Sequence, residues 1–198
     1  MNMKIRLITI ISALVVWLIF TPAVYATSTA VAAGFIAPIN NSAARIIKKP
    51  FGIYVSPGHS PVTPEKFHGY HTGVDFEIFA NETSTPVEIY TICTGKLLVK
   101  TIARGYGGMV VQSCTLDKQP ITVVYGHLKI KSVTNTVGKV LKRGAILGVL
   151  GRGYSPETSG ERKHLHLGIH LGKKVDTRGY VQNKKELKNW LDFSQYLK

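Results

Sequence analysis

Acidic residues are scarce in this sequence. Eleven Asp+Glu stand against 25 Lys+Arg, for a formal net charge of +14 at pH 7. A chain so one-sided associates with polyanions. Nucleic acid is not the expected one, because no basic block is interleaved with aromatics that could stack on bases. Cysteine is nearly absent. Cys93 and Cys114 make no C-x-x-C, which argues against a cysteine-held metal. In an oxidising compartment they read as one disulfide, and otherwise as two free buried thiols. No internal repeat is visible. Helical periodicity is confined to residues 184–197, where Leu187, Trp190, Leu191 and Phe193 fall on one face. Neither a helical bundle nor a repeat array is expected.

The first residues carry an address. Lys4 and Arg6 precede residues 7–20, which hold no charge; Pro22 follows, and Val24-Tyr25-Ala26 offers small-residue positions at −3 and −1 for cleavage. Residues 1–26 read as a secretory signal ahead of a retained N-terminal membrane anchor, because the uncharged run is shorter than the about 20 residues a span needs. Either way the remainder is expected outside the cytoplasm: secreted, periplasmic or cell-wall associated. There its positive charge would meet anionic wall polymers or the envelope surface.

Residues 27–49 are small, polar and aperiodic, and read as a linker or loose arm that closes on the domain near Ile46. From Pro50 the chain changes to short β-rich runs punctuated by glycine. Strands are expected at residues 51–55, 74–79, 86–93, 96–103, 109–113, 121–128 and 164–171, with more in 140–150 around a turn at Lys142-Arg143-Gly144. Residues 104–108 read as a hairpin turn. Residues 56–70 form a long loop, of a length that is uncommon unless functional. The expected fold is mainly β, an antiparallel sheet or sandwich with a groove over residues 50–180, and one C-terminal helix in 181–198 packed on it.

The histidines are where chemistry concentrates. His164 and His166 stand two residues apart in an apolar run. In an extended strand both project to one face, with Leu165 and Leu167 on the other. Taken alone, such a pair also suits a strand whose histidines face water. His71 and Asp75 lie four residues apart around Gly73 and can bend toward one ion; imidazole nitrogen and carboxylate oxygen both suit Zn2+. His127 ends a strand in Tyr125-Gly126-His127-Leu128. If the strands share a sheet, these side chains can converge. Two His and one Asp leave a fourth position open, which separates a catalytic zinc from a structural one. Two histidines then remain to move a proton and steady an oxyanion. Spacing does not say which member of the H-x-H pair takes the metal.

This set of H-x-x-x-D, Y-x-H-L and H-L-H resembles the lysostaphin/LytM-type zinc metalloendopeptidases, which cut peptide bonds in bacterial peptidoglycan. The resemblance spans about residues 50–180 and includes Phe51-Gly52, the Gly95-Lys96 and Gly107-Gly108 turns, Gly144 and Gly148. It implies one Zn2+ per domain, held by His71, Asp75 and His166, with His127 and His164 as the catalytic histidines and peptidoglycan peptides as substrate. It also implies an alternative, since some relatives are inactive and bind the wall or activate another hydrolase. Those relatives have lost metal ligands, whereas all five positions are present here. A zinc carboxypeptidase acting on D-amino-acid ends fits the H-L-H doublet and the glycine-punctuated β pattern less well.

The sequence departs from the family's pattern in places. Leu167-Gly168 stands where an aromatic and Glu are common. His170 falls on the histidine face and is expected at its rim. Residues 155–163 are longer and more charged than the usual turn, and the 56–70 loop is long, with His59 and His68 expected to face solvent. Both loops would border the groove and bear on substrate choice.

Overall fold

A computed structural model describes residues 34–45 and 47–197. The expected signal or anchor, residues 1–26, and the start of the arm lie outside the described residues. Among the described residues, no helix is long and apolar enough to cross a membrane. The strands are β1 (Tyr54–Val55), β2 (Gly69–His71), β3 (Gly73–Glu77), β4 (Glu88–Tyr90), β5 (Gly95–Ala103) and β6 (Gly107–Leu116). They continue with β7 (Gln119–Leu128), β8 (Val140–Leu141), β9 (Ile146–Val149), β10 (His164–Leu171), β11 (Tyr180–Val181) and β12 (Trp190–Leu191). Every pairing between them is antiparallel, as expected for a mainly β domain.

The main sheet runs β12-β10-β7-β6-β5-β8, with β3 also beside β10. Period-two alternation sorts its residues. Ile121, Val123 and Tyr125 of β7, Leu165, Leu167 and Ile169 of β10, and Val74 and Phe76 of β3 enter one apolar core. Their neighbours Asp75, His164 and His166 fall on the opposite face. Burying an aliphatic side chain is worth about 1.5–3 kcal/mol. A one-residue slip would swap the two faces, so the core sets the register that aligns the polar side chains. Tyr125 also points into the core, where its hydroxyl accepts from Ile92 N at 2.9 Å and donates to Gln112 Oε1 at 3.1 Å.

Two expectations meet a different structure. The arm closes on the domain near residue 46, as expected, but it is already docked from Ile39 and is not loose over its described part. Ile39 bridges to Ile89, Ile47 bridges to Phe76, and Lys49 O accepts from Asp75 N at 3.2 Å, so the arm extends the sheet beside β3. Arg45 is buried, paired to Glu82 at 2.6 Å and stacked over Phe79. The alanine-rich composition hides these few anchoring side chains.

Residues 184–197 do not form one amphipathic helix. They make 3-10 turns at Lys184–Asn189 and Phe193–Tyr196, separated by β12. β3 pairs only with the first part of β10, and Trp190 and Leu191 fill the edge left beside His170 and Ile169. Open backbone groups on a sheet edge outcompete helix periodicity here. Phe193 still buries itself, against Phe35 and Phe76. Of the two readings of the cysteines the structure has the disulfide: Cys93 and Cys114 are bonded, with Cα atoms 6.0 Å apart.

Candidate functional site

The main sheet delivers three of the five site residues by register alone. His166 lies opposite Asp75 on β3 and opposite Gly126 on β7, while His164 lies opposite Glu77. His71 ends β2, in a separate small sheet with β1 and β11, and the chain turns through Thr72 into β3. Gly73 makes room for this. A Cβ there would stand 2.7 Å from His166 Cε1 and 2.6 Å from the Leu167 carbonyl.

The result is a tight buried group. His71 Nε2 lies 3.0 Å from His166 Nδ1, His166 Nδ1 lies 3.1 Å from Asp75 Oδ1, and His71 Nε2 lies 3.2 Å from that same oxygen. Donors bound to one ion at 2.0–2.2 Å with tetrahedral angles sit about 3.3–3.5 Å apart. The three atoms fall within a few tenths of an ångström of that spacing, and two imidazole nitrogens with one carboxylate oxygen match zinc's preferences. These three residues could therefore hold a metal ion. Outer contacts orient them. His71 Nδ1 faces the Pro50 carbonyl at 3.3 Å, which leaves Nε2 toward the centre.

His127 reaches the site by breaking the alternation. Counting from Tyr125, it should point into the core. Between Tyr125 and Leu128, however, β7 carries one more residue than β6 offers opposite it, a β-bulge. His127 there adopts φ 61°, held by its N–H to Tyr106 O at 3.1 Å and by Gly151 N–H to its carbonyl at 2.8 Å. Left-handed backbone costs a non-glycine residue about 1–2 kcal/mol. In return the His127 ring lies 4.2 Å from the ring of His164, centroid to centroid, beside the metal-ligating group.

Electrostatics divides these groups. Burial pushes the Asp75 carboxyl up, but the imidazoles of His71 and His164 outweigh it and hold it well below the usual carboxylate range. Burial, aided by the charge of His164, drives His127 well below the ordinary histidine value. Burial likewise takes His166 down to about 4, against the pull of Asp75. Both rings are thus neutral near pH 7, the form that binds metal or accepts a proton. His164 Nδ1 donates to the Arg162 carbonyl at 2.9 Å, and its Nε2 lies 3.2 Å from Asp75 Oδ2.

Sequence reasoning missed Arg162. Its guanidinium reaches Asp75 Oδ2 at 3.0 Å and grips Glu77 at 2.6 and 2.9 Å. Two-residue parity holds the signal that could have found it: Arg162, His164 and His166 share one alternation, and Asp75 and Glu77 share another. Tyr106 was missed as well; its hydroxyl stands 3.4 Å from His166 Nε2, and burial together with Asp75 pushes its pKa up. A side chain at Gly168 would press on the site, since its Cβ would stand 3.2 Å from His166 Nε2 and 3.5 Å from the Trp190 ring. Glu77, working through Arg162, puts a carboxylate near Asp75 by another route.

His170 is not at the rim. It is buried edge-on against Trp190, away from the metal-ligating group. His59 and His68 are exposed, as expected, with His68 bonded to Tyr54 and Gln182. A cleft of about 280 Å³ opens over Asp75, His127, His164 and His166, walled by Tyr106 and Tyr180.

The model of peptidase family M23 matches residues 69–177, more than half the chain, and that span contains all five site residues. The catalytic domain of the antimicrobial peptidase lysostaphin from Staphylococcus simulans is similar at TM-score 0.51 and 21% identity, covering 77% of this chain and 92% of that one, a likeness of fold. A zinc containing peptidase from Vibrio cholerae gives TM-score 0.48 at 22% identity, covering 70% of this chain and 37% of that one. LytU gives TM-score 0.49 at 19% identity, covering 77% and 91%. No curated protein sequence matches the chain. With the family's span running from β2 to just short of β11, across every residue that builds the cleft floor, this chain belongs to peptidase family M23.

Proposed function

We infer that this protein is a zinc-dependent endopeptidase of bacterial peptidoglycan that works outside the cytoplasm. One observation carries the reading: three ligand atoms of His71, Asp75 and His166 lie 3.0–3.2 Å from one another, with the His127 and His164 rings 4.2 Å apart alongside. Bound there, zinc supplies Lewis-acid polarisation of the scissile carbonyl and acidifies water.

The chain's own residues do the rest. His127 lines the cleft and burial disfavours its charged form, so it takes the proton of the attacking water. His164, anchored on the Arg162 carbonyl through Nδ1–H, turns Nε2 toward the centre, beside the place where the oxyanion develops. Arg162 and the Pro50 carbonyl keep Asp75 and His71 in place. A cleft between β walls suits an extended peptide. The uncharged run of residues 7–20 behind Lys4 and Arg6 supports export, as signal or anchor, and the charge of +14 supports association with anionic wall polymers. The reading as an inactive wall-binding relative is favoured only by Gly168.

The test is mass analysis of fragments released from purified peptidoglycan, with and without a chelator. Opened cross-links that disappear with chelator are expected. Release of single residues would instead assign a carboxypeptidase. His127→Ala is expected to keep its zinc and lose hydrolysis; a variant that still cleaves would sink the mechanism.

A further inference from the structure

Glu161 takes no part in the chemistry above, yet it is buried in the wall of the same cleft. Its backbone is held from behind: the main-chain N–H donates to Thr158 O, and the carbonyl accepts from Tyr154 N and Thr158 Oγ1. Its carboxylate Oε1 is buried with no hydrogen-bond donor among the described residues. Such an oxygen is costly to leave unsatisfied, and it marks a place for a cation.

A cation stands close by. Lys66 Nζ lies 3.2 Å from Oε1, near enough to pair in charge but not aligned to hydrogen-bond it, and donates instead to the Gly160 carbonyl at 3.0 Å. Lys66 comes from the loop between β1 and β2. Next to it, Phe67 stacks on Tyr180 with centroids 5.1 Å apart, and reaches Gly105 on the other side, where Gly105 N bonds Ser159 Oγ. Glu65 is pinned to Lys49 at 3.2 Å. Phe67 therefore lines the cleft, while Lys66 and Gly160 line a smaller adjoining depression of about 40 Å³ that Glu161 borders as well. The Lys66 side chain is 47% exposed and that of Glu161 is 7% exposed. The carboxylate is built into the wall, whereas the lysine is only laid against it.

We propose that Glu161 Oε1 and the Gly160 carbonyl form a subsite for a primary ammonium group of the substrate peptide, which Lys66 fills while no substrate is bound. An ammonium offers three N–H donors, and this corner offers two acceptors and a negative charge. The inference rests on the peptidoglycan reading. Wall peptides present such a group on a diamino-acid side chain or at a peptide N-terminus, and the two sources share this chemistry.

The experiment is calorimetric titration of the protein carrying His127→Ala, so that peptide is bound but not cut. The probe is one soluble cross-linked wall peptide in three forms: free, acetylated on the side-chain amine, and acetylated on the N-terminus. The free form is expected to bind at least about tenfold tighter than one acetylated form, and the form that weakens identifies the amine. Adding Glu161→Gln should bring the free peptide down to the affinity of its blocked counterpart. Adding Lys66→Ala should tighten the free peptide severalfold, because self-occupation no longer reduces the competent fraction. Free and acetylated forms within twofold of each other, or a preference that survives Glu161→Gln, would overturn the subsite. Failure of the enzymatic reading looks different: the unmutated protein releases no fragments while the ammonium preference persists.

Discussion

Asp75 divides its two oxygens between two sets of partners: Oδ1 faces His71 and His166, and Oδ2 faces His164 and the Arg162 guanidinium, 3.0 Å away. Arg162 thereby fixes which oxygen is left for the ion. Replacing it with Met should lower zinc affinity about 10–100-fold. It also leaves Asp75 and Glu77 buried without their cation, at a cost of about 3–5 kcal/mol. Competition with a chromogenic chelator and urea unfolding measure the two effects. Arg162→Lys restores the charge but not the fork and should recover only part of each; full recovery would show that the fork's geometry is irrelevant.

Gly73→Ala should be more damaging than its single methyl suggests. The new Cβ would meet the Leu167 carbonyl at 2.6 Å and the His166 ring at 2.7 Å, and neither backbone nor packed ring can yield cheaply. Loss of metal binding together with a lower thermal midpoint is expected. Unchanged zinc content by elemental analysis would count against the tight placement of His166.

Acid should weaken the metal-free protein in a defined window. His166 sits at about 4 in the folded chain because burial disfavours its charge, whereas an unfolded histidine titrates near 6.5. The unfolded chain therefore takes up the proton first, and stability present above about pH 6.5 is lost as pH falls toward about 4. His127 shifts in the same direction and adds to the slope. Urea midpoints across that range should decline, and His127→Gln should flatten the decline. A flat wild-type profile would mean that the histidines charge freely in the folded state.

Breaking the Cys93–Cys114 bond, which spans 21 residues of sequence, should cost about 3 kcal/mol. A double Cys→Ser variant compared with the oxidised protein by denaturant titration gives the value. It should leave the site's chemistry intact, because both sulfurs lie in the apolar core on the other side of the sheet.

What could be read before the structure was local. The alternation of His164, Leu165, His166 and Leu167 needs only period two, and β10 keeps it. His71 and Asp75 could be paired because four residues and a glycine join them. His127 shows where local reading stops. Parity sends it into the core, and only an extra residue opposite β6, which depends on a partner strand, turns it back. The arm and the C-terminal turns were obscured for a related reason. Their conformations are set by edges of β3 and β10 that no window of sequence contains. Arg162 was within reach of parity but lay in a segment read as loop.

The arm has a further consequence, for the order in which the fold is made. Ile39, Arg45 and Lys49 precede the strands they dock on, and Lys49 finds Tyr180 across 131 residues of chain. Such long-range closures are slow to form. An exported chain would present its arm first, yet that arm has no seat until β3 and β11 have formed. The cleft is then among the last features to take shape, after β3 and β11 have given the arm its seat.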